Sequence, residues 1–487
     1  MCQGPVGLLT ALDRQDVVRD LLGHVFRAQN ARGDWPQAFE FLAPLPESGQ
    51  QDSHGDVVFW PLLATGDHLL ASGRADLLDV VLPLVDDDGL TQPLRVAEHL
   101  ARAVDRIEAG TVAGSPLPAY GHGDWNDSLQ PADRHLAEHL VSVWTSVLQT
   151  QALRTLAAGL RAVGAEPELG ERAAALADAT EDAIHHELIT DDVLPGYVLT
   201  GEGGSREPLV HPRDDRTGLT YGVLPWIHAI SADLLTSEQA EHHLDLIDEH
   251  LLGPDGARLF DRPVAYAGGP MSVFQRAEAS TFWGREIGLM YQHAHLRYAE
   301  ALARVGRGER LLRALAQATP RGSVDLVGPA RPRQSTTYFS SSDGAFTDRY
   351  DAQERYDSLM AGEVPLEGGW RVYSSGPGLF LRLLVETFLG VRRRGAVVEL
   401  DPVLDPAAGE LRATVPFEGG TLDLLLKPGR SGHGVTAVTS RGEAIPTATL
   451  DNPYRHGGVS VRLDDLRRAV AERSSSDDGP DVVVETR

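Results

Sequence analysis

Eight stretches with helical periodicity, separated by long loops, recur through the first 394 residues, and they constrain the fold more than any other feature. In residues 136–163, for example, apolar side chains recur every three to five positions from Leu136 to Leu153, which marks one buried face of a long helix. The predicted helices are residues 57–72, 75–82, 94–109, 136–163, 171–187, 237–252, 282–305 and 379–389. Helices of alternating length joined by long loops favour a mainly α fold of the α/α toroid type.

The pattern changes near Gly390. Residues 396–400, 410–416, 420–426 and 434–440 alternate or run apolar at strand length, and Gly, Pro and Asp separate them. We therefore predict a helical domain over residues 1–394 and a small β-sandwich-like domain over residues 395–487, with a loose tail starting near Ser474. The Gly/Pro/Ser-rich stretches 270–280 and 331–344 are long enough to be functional loops.

Charge and composition narrow the range of partners. A formal net charge of -26 over 487 residues disfavours binding to nucleic acid or to an anionic membrane. Cys2 is the only cysteine, which excludes an internal disulfide and a Cys-based zinc site. The sequence lacks both an apolar run of ~20 residues and a signal-peptide pattern. We expect a cytoplasmic protein without a membrane partner.

The string Gly123-Asp124-Trp125-Asn126-Asp127 carries the clearest chemical signal. It places an indole between two carboxylates, and a carboxylic acid beside an aromatic wall is kept partly protonated by desolvation, so that it can protonate a leaving group. The flat face of Trp125 also suits a sugar ring. These residues indicate glycosidic-bond chemistry, although Asp127 as a helix N-cap and Trp125 as a core residue remain open interpretations.

This motif resembles the Gly-Asp-Trp-Asn-Asp motif of glycoside hydrolase family 94, which contains inverting cellobiose and chitobiose phosphorylases. Two further segments are similar to that family in the same order: Asp56-Val57-Val58-Phe59-Trp60 with the helix behind it, and the Tyr-Ser-Ser-Gly-Pro-Gly string at residues 373–378. The likeness covers roughly residues 1–394. It implies an (α/α)6 barrel and an inverting carbohydrate phosphorylase that cleaves a β-linked di- or oligosaccharide with inorganic phosphate.

Carried over by position, the resemblance makes Asp127 the general acid, which protonates the glycosidic oxygen while phosphate attacks the anomeric carbon from the opposite face. Phosphate is already an anionic nucleophile, so the reaction needs an anion site in place of the second carboxylate of an inverting hydrolase. The resemblance puts Ser375 and Gly376 in that site, at a helix N-terminus where backbone N–H groups favour anions. Arg285 stands where the family has a phosphate-binding His, and Glu278 where it has a Glu at the donor sugar.

Residues that lie near these motifs complete the set of site candidates. The phosphate candidates are completed by Ser374 and Arg333. The sugar candidates are Trp125, Asp124, Asn126, Asp56, His54, Gln3 and Gln37, and Trp35 lies in the same early loops. The resemblance implies neither a metal nor an organic cofactor, and phosphate is a co-substrate.

The chain departs from the family pattern at its start. Met1-Cys2-Gln3 matches the end of the family's Arg-Asp-x-x-Gln motif, so the Arg that contacts phosphate is missing and the barrel is expected to be incomplete at its N-terminus. We expect a start codon assigned downstream of the true one. Members of the family are often dimers, which makes a homodimer one candidate assembly.

Two other functions fit the same residues. An inverting hydrolase would need a carboxylate ~6.5–9.5 Å from Asp127 to activate water, and Glu278 or Glu286 could supply it. An inactive, truncated carbohydrate-binding remnant would need no catalytic group. Glu278 and Arg285 also have a simpler interpretation as a surface ion pair, because they lie near two helical turns apart.

Overall fold

The structure is a computed structural model that describes residues 2–39, 54–86, 89–90, 93–126, 129–201, 204–264, 273–275, 290–331, 341–368, 375–472 and 479–487. The helices are α1 Gly4–Ala11, α2 Gln15–Phe26, α3 Phe59–Ser72, α4 Val96–Ala109, α5 Arg134–His139, α6 Val143–Val163, α7 Pro167–Ala183, α8 Val223–Ser231, α9 Ser237–Leu246, α10 Gln292–Arg304, α11 Gly308–Gln317, α12 Pro320–Leu326, α13 Arg349–Glu354, α14 Tyr356–Met360, α15 Ser375–Arg382 and α16 Leu463–Ala471. Wider π-helical turns extend α7, α9 and α15 over Ile184–Leu188, Ile247–Leu251 and Leu383–Phe388.

Short strands are inserted between these helices: β1 Val81–Leu82, β2 Val85–Asp86, β3 Gly89–Leu90, β4 Leu94–Arg95, β5 Gln130–Pro131, β6 Leu140–Ser142, β7 Tyr197–Thr200, β8 Arg206–Leu209, β9 Leu252–Gly253, β10 Gly256–Ala257, β11 Phe274–Gln275, β12 Met290–Tyr291, β13 Ser341–Gly344 and β14 Leu366–Gly368. The later strands are β15 Val391–Arg394, β16 Val397–Leu400, β17 Leu411–Phe417, β18 Gly420–Lys427, β19 Val435–Ser440, β20 Glu443–Ala444, β21 Thr447–Thr449, β22 Val459–Arg462 and β23 Val482–Thr486.

Six helices pack side by side in the cyclic order α1, α3, α6, α8, α10, α15 and back to α1. A second set lies against them, with α2 on α3, α7 on α6, α9 on α8 and α11 on α10. Helix α6 is typical of the inner set because its buried residues lie on every side. Ser142 caps its N-terminus, and Gly164 ends it with a left-handed φ of 64°.

The neighbouring inner helices α3 and α6 run in the same direction. On α3 and α6, the rings of Trp60 and Trp144 in the first turns lie 6.2 Å apart, and Gly66 further along α3 contacts Thr155 further along α6. Because parallel helices begin at the same end, the segments that precede them meet at one end of the ring.

The strand-rich part begins at Val391, slightly before the predicted boundary after residue 394. It contains a four-stranded sheet in the order β15-β16-β22-β21 and a five-stranded sheet in the order β17-β18-β23-β19-β20, in which β18 and β23 are parallel. The predicted loose tail is wrong for residues 479–487, because β23 pairs on both sides inside the five-stranded sheet. Buried side chains of both sheets and of most helices form one large core, and a second, smaller cluster gathers around Leu359.

Two helix predictions fail in an informative way. Residues 75–82 form turns followed by β1, because Pro83 disfavours helix in the residue before it and β1 pairs with β4. The predicted helix 136–163 is divided into α5 and α6 by β6, which pairs with β7 across Leu140 and Leu199.

Candidate active site

Two turns meet at the end of the ring where α3 and α6 begin. The segment before α3 and the turn of residues 123–126, which we call the 123–126 turn, are joined by a backbone hydrogen bond from Gly55 N to Gly123 O of 2.8 Å. His54 also pairs with Gly121 in an isolated β-bridge. Gly123 has a φ of 121°, a conformation that L side chains rarely adopt, so glycine is required there. The structure therefore brings together the two segments whose motifs the sequence singled out.

Asp124 is fully buried, and both of its oxygens are used inside the protein. Its Oδ2 atom accepts hydrogen bonds from Ser142 Oγ at 2.7 Å, Trp144 Nε1 at 2.6 Å and Thr145 Oγ1 at 3.3 Å. Its Oδ1 atom accepts the backbone N–H of Asn126 at 2.9 Å. Burial raises the pKa of Asp124 to about 6, while these hydrogen bonds act in the opposite direction.

Asp56 lies on the other turn and is 3% exposed. Its Oδ2 atom accepts the indole N–H of Trp60 at 2.9 Å, whereas Oδ1 has no partner within the described residues. Burial, and then the nearby charge of Asp124, raise the pKa of Asp56 to about 7. Each of two buried carboxylates thus accepts a hydrogen bond from a tryptophan, and the two indoles pack against each other.

Trp125, in the 123–126 turn, contacts the start of α10. Its ring is 5.2 Å from Tyr291 in an edge-on arrangement and 5.0 Å from His293, and the side chain is partly exposed. A partly exposed indole that packs against other aromatic side chains can offer its exposed face to a sugar ring. Neighbouring Asn126 is 1% exposed, and both polar atoms of its side chain lack a partner in the described part of the chain.

A cavity of about 1480 Å³, which we call the mouth cavity, opens beside the two turns. Gln37, His54 and Gln130 line it together, with Gln37 Nε2 at 3.3 Å from His54 Nδ1 and Gln130 Nε2 at 3.4 Å from His54 Nε2. A neutral imidazole has one donor and one acceptor nitrogen, so one of the two amides must present its oxygen to the ring. This cluster offers neutral donors and acceptors of the kind that bind sugar hydroxyls.

A smaller cavity of about 280 Å³ lies between α1, α3, α6, α10 and α15, and we call it the axial cavity. Gln3 and Trp60 are among its lining residues, and Gln3 Oε1 has no hydrogen-bond partner among the described residues. Gly376 is in the first turn of α15 and is buried, and a Cβ atom on Gly378 would lie 2.6 Å from the Gly4 carbonyl oxygen. The start of α15 is therefore packed against the start of α1, beside Gln3.

Several predicted site residues lie outside the described residues: Asp127, Glu278, Arg285, Arg333 and Ser374. Ser375 begins α15. Trp35 is not a surface sugar contact: it is 1% exposed, donates its indole N–H to Val25 O at 2.9 Å and packs against Phe26.

Sequence reasoning missed Trp60, Trp144, Ser142 and Gln130 as parts of the site. Trp60 follows Asp56 by four positions, a spacing that could have identified the pair, because residues i and i+4 are neighbours at a helix start. Ser142 and Trp144 lie 18 and 20 residues from Asp124, and no local pattern links them to it.

Nowhere among the described residues do three or more His, Cys, Asp or Glu side chains gather closely enough to bind a metal ion. In the same part of the chain, each helix is too short or too polar to cross a bilayer.

The chain is similar in sequence to one protein family and to two curated proteins. A family model described as the glycosyl hydrolase 94 superfamily, catalytic domain, matches residues 45–329. The chain is 38% identical over 462 residues to the 1,2-beta-oligoglucan phosphorylase of Listeria innocua, which covers 94% of this chain and 41% of that protein. It is 21% identical over 424 residues to the N,N'-diacetylchitobiose phosphorylase of Vibrio proteolyticus, which covers 84% and 48%.

The chain thus spans less than half the length of these curated relatives. Among solved structures, a sialidase superposes with a TM-score of 0.50 at 12% sequence identity, over 82% of this chain and 32% of the sialidase chain. That likeness concerns the fold alone.

Proposed function

The chain belongs to the glycosyl hydrolase 94 superfamily, and from this premise we propose that it is an inverting carbohydrate phosphorylase. It would cleave a β-linked oligosaccharide with inorganic phosphate and release an α-sugar 1-phosphate. We also propose that the cyclic arrangement of α1, α3, α6, α8, α10 and α15, with further helices packed outside it, is an (α/α)6 barrel.

The observation that carries this proposal is the position of the 123–126 turn. It lies at the end of the ring where α3 and α6 begin, joined to the segment that carries His54 and Asp56. Asp127 is the next but one residue after Trp125 in the chain, and we assign it the role of general acid. Trp125 would support the sugar from which the leaving group departs.

The nucleophile requires an anion site on the opposite face of the sugar. We assign this site to the start of α15, where Ser375 and Gly376 supply N–H groups that have no partner within the helix. Arg285, Arg333 and Ser374 are proposed to complete it. Glu278, Gln3 and Asp56 are proposed to contact the donor sugar beside this anion site.

The mouth cavity supports an oligosaccharide in preference to a disaccharide. Its volume of about 1480 Å³ exceeds the ~300–1,000 Å³ of an ordinary small-molecule pocket. The name of the Listeria relative points to β-1,2-linked glucans, and we propose these oligomers as the substrates, with Gln37 and His54 in contact with the leaving part.

The test is turnover of β-1,2-linked glucose oligomers with and without phosphate, with Asp127→Asn as the matched variant. We expect phosphate-dependent cleavage by the wild type, a loss of at least ~100-fold in the variant, and an unchanged rate after dialysis against EDTA. Equal release of sugar without phosphate would establish a hydrolase. Oligomer binding without any turnover would establish a binding remnant.

A further inference from the structure

We propose that Asp124 is a positioning residue for the reaction: it anchors the 123–126 turn to the first turn of α6 and thereby sets the direction from which Asp127 reaches the glycosidic oxygen. This inference rests on the proposed function. It assigns Asp124 a task different from the sugar contact predicted from the sequence.

The geometry on the α6 side is that of an anchor. Three donors converge on the single Oδ2 atom, and all three belong to the cap and first turn of one helix. The positive end of the helix dipole and the charge-assisted hydrogen bonds both favour a carboxylate at this position. With zero exposure, Asp124 has no surface left for a sugar hydroxyl.

On its other side, the Asp124 carboxylate holds the 123–126 turn. The Oδ1 atom accepts the N–H of Asn126, so one carboxylate spans from helix α6 to the residue directly before Asp127. The hydrogen bond from Gly55 N to Gly123 O fixes the start of the same turn. The turn is therefore held on both sides of Trp125.

An amide cannot replace this carboxylate. In Asp124→Asn, the new amide can turn its oxygen toward Ser142, Trp144 and Thr145. Its NH₂ group then faces the backbone N–H of Asn126, so that two donors meet. The reverse orientation sets the NH₂ group against the donors on α6. The substitution keeps the shape and size of the side chain, so its effect reports on hydrogen bonding to the turn.

The experiment compares two leaving groups in the presence of phosphate. An oligosaccharide leaving group needs a proton from the general acid, whereas the dinitrophenolate of a dinitrophenyl β-glucoside leaves without one. For Asp124→Asn we expect kcat on the oligosaccharide to fall about 100-fold with KM within about twofold, and kcat on the aryl glucoside to fall less than about fivefold. An equal loss on both substrates, or a higher KM with unchanged kcat, overturns the inference.

Thr145→Val and Thr150→Val form a matched pair in case Asp124→Asn does not fold. Both hydroxyls are buried in α6. Thr145 Oγ1 lies 3.3 Å from Asp124 Oδ2 and 3.1 Å from Ser142 Oγ, which itself donates to Asp124, whereas Thr150 Oγ1 donates to Ser146 O at 3.2 Å. We expect about a 10-fold loss of kcat on the oligosaccharide for Thr145→Val and none for Thr150→Val. Equal behaviour of the two variants contradicts the inference.

Activity of the wild-type protein distinguishes failure of the proposed function from failure of the positioning role. If the wild type shows no phosphate-dependent cleavage of either substrate, the proposed function fails. If the wild type is active but its variants show no dependence on the leaving group, only the positioning role of Asp124 fails.

Discussion

Helices α3 and α6 meet backbone to backbone, and Gly66 is where this contact can be perturbed most directly. A Cβ atom on Gly66 would lie 2.5 Å from the carbonyl carbon and oxygen of Thr155 and 2.6 Å from Leu156 N. A Cβ atom on Gly159 would in turn lie 2.8 Å from Gly66 O. These neighbours are main-chain atoms inside helices, so no flexible side chain can move aside.

The cost of Gly66→Ala follows from these distances. Ordinary van der Waals contact begins at 3.4 Å, so the two helices must separate locally by roughly 1 Å. Overpacking of this kind costs about 3 kcal/mol, and the better helix propensity of Ala returns about 1 kcal/mol. We expect a net loss of about 2 kcal/mol in the free energy of unfolding.

Gly23 in α2 is the matched control, because a Cβ atom there would meet nothing within 4 Å. Gly23→Ala should stabilise the protein by about 0.5–1 kcal/mol through helix propensity alone. Urea denaturation of the two variants beside the wild type measures both signs. If Gly66→Ala is as stable as Gly23→Ala, the close packing of α3 on α6, and with it the alignment of the two turns, is refuted.

Three further substitutions test other parts of the molecule. Burial raises the pKa of Asp56 from 3.8 to about 7, so the free energy of unfolding should fall as the pH rises from 4 through 7. Thermal melts of Asp56→Asn should show a shallower fall. An unchanged slope would show that Asp56 is ionised in the folded protein without cost. Arg455→Met should cost about 2 kcal/mol in urea denaturation, since buried Asp401 loses the hydrogen bonds of 2.8 and 2.9 Å from Arg455 and keeps the one from Arg392 at 3.0 Å; a loss below ~0.5 kcal/mol would contradict this. Trp125→Leu should raise KM for the oligosaccharide about 10-fold if the indole is a sugar platform, whereas an unchanged KM would assign Trp125 to the core.

The sequence predicted some of the helices that have one buried and one solvent-exposed face, but it missed others with the same pattern, such as α2 and α11. Helix α4 and the α7 segment were found this way, within a few residues of their observed ends. Helices α1 and α8 were missed, although both belong to the inner ring. Residues 223–230 of α8 are buried throughout, so its sequence has no polar face that would reveal a 3.6-residue period.

The candidate site, too, could be predicted only in part. Residue type and order identified Asp56 and Asp124 as important, and the structure places both turns together. What each carboxylate does depends on Trp60, Ser142 and Trp144, whose proximity results from the packing of α3 on α6. The charge of an aspartate is visible in a sequence, whereas its burial and its donors are not.

The stereochemistry of the reverse reaction tests the central claim most directly. The measurement is phosphate release from α- and β-glucose 1-phosphate, each supplied with a β-1,2-linked glucose oligomer as acceptor. An inverting phosphorylase releases phosphate from the α anomer only, and the oligomer grows by one unit. Release from the β anomer, or an oligomer that only shortens in both reactions, would contradict the account.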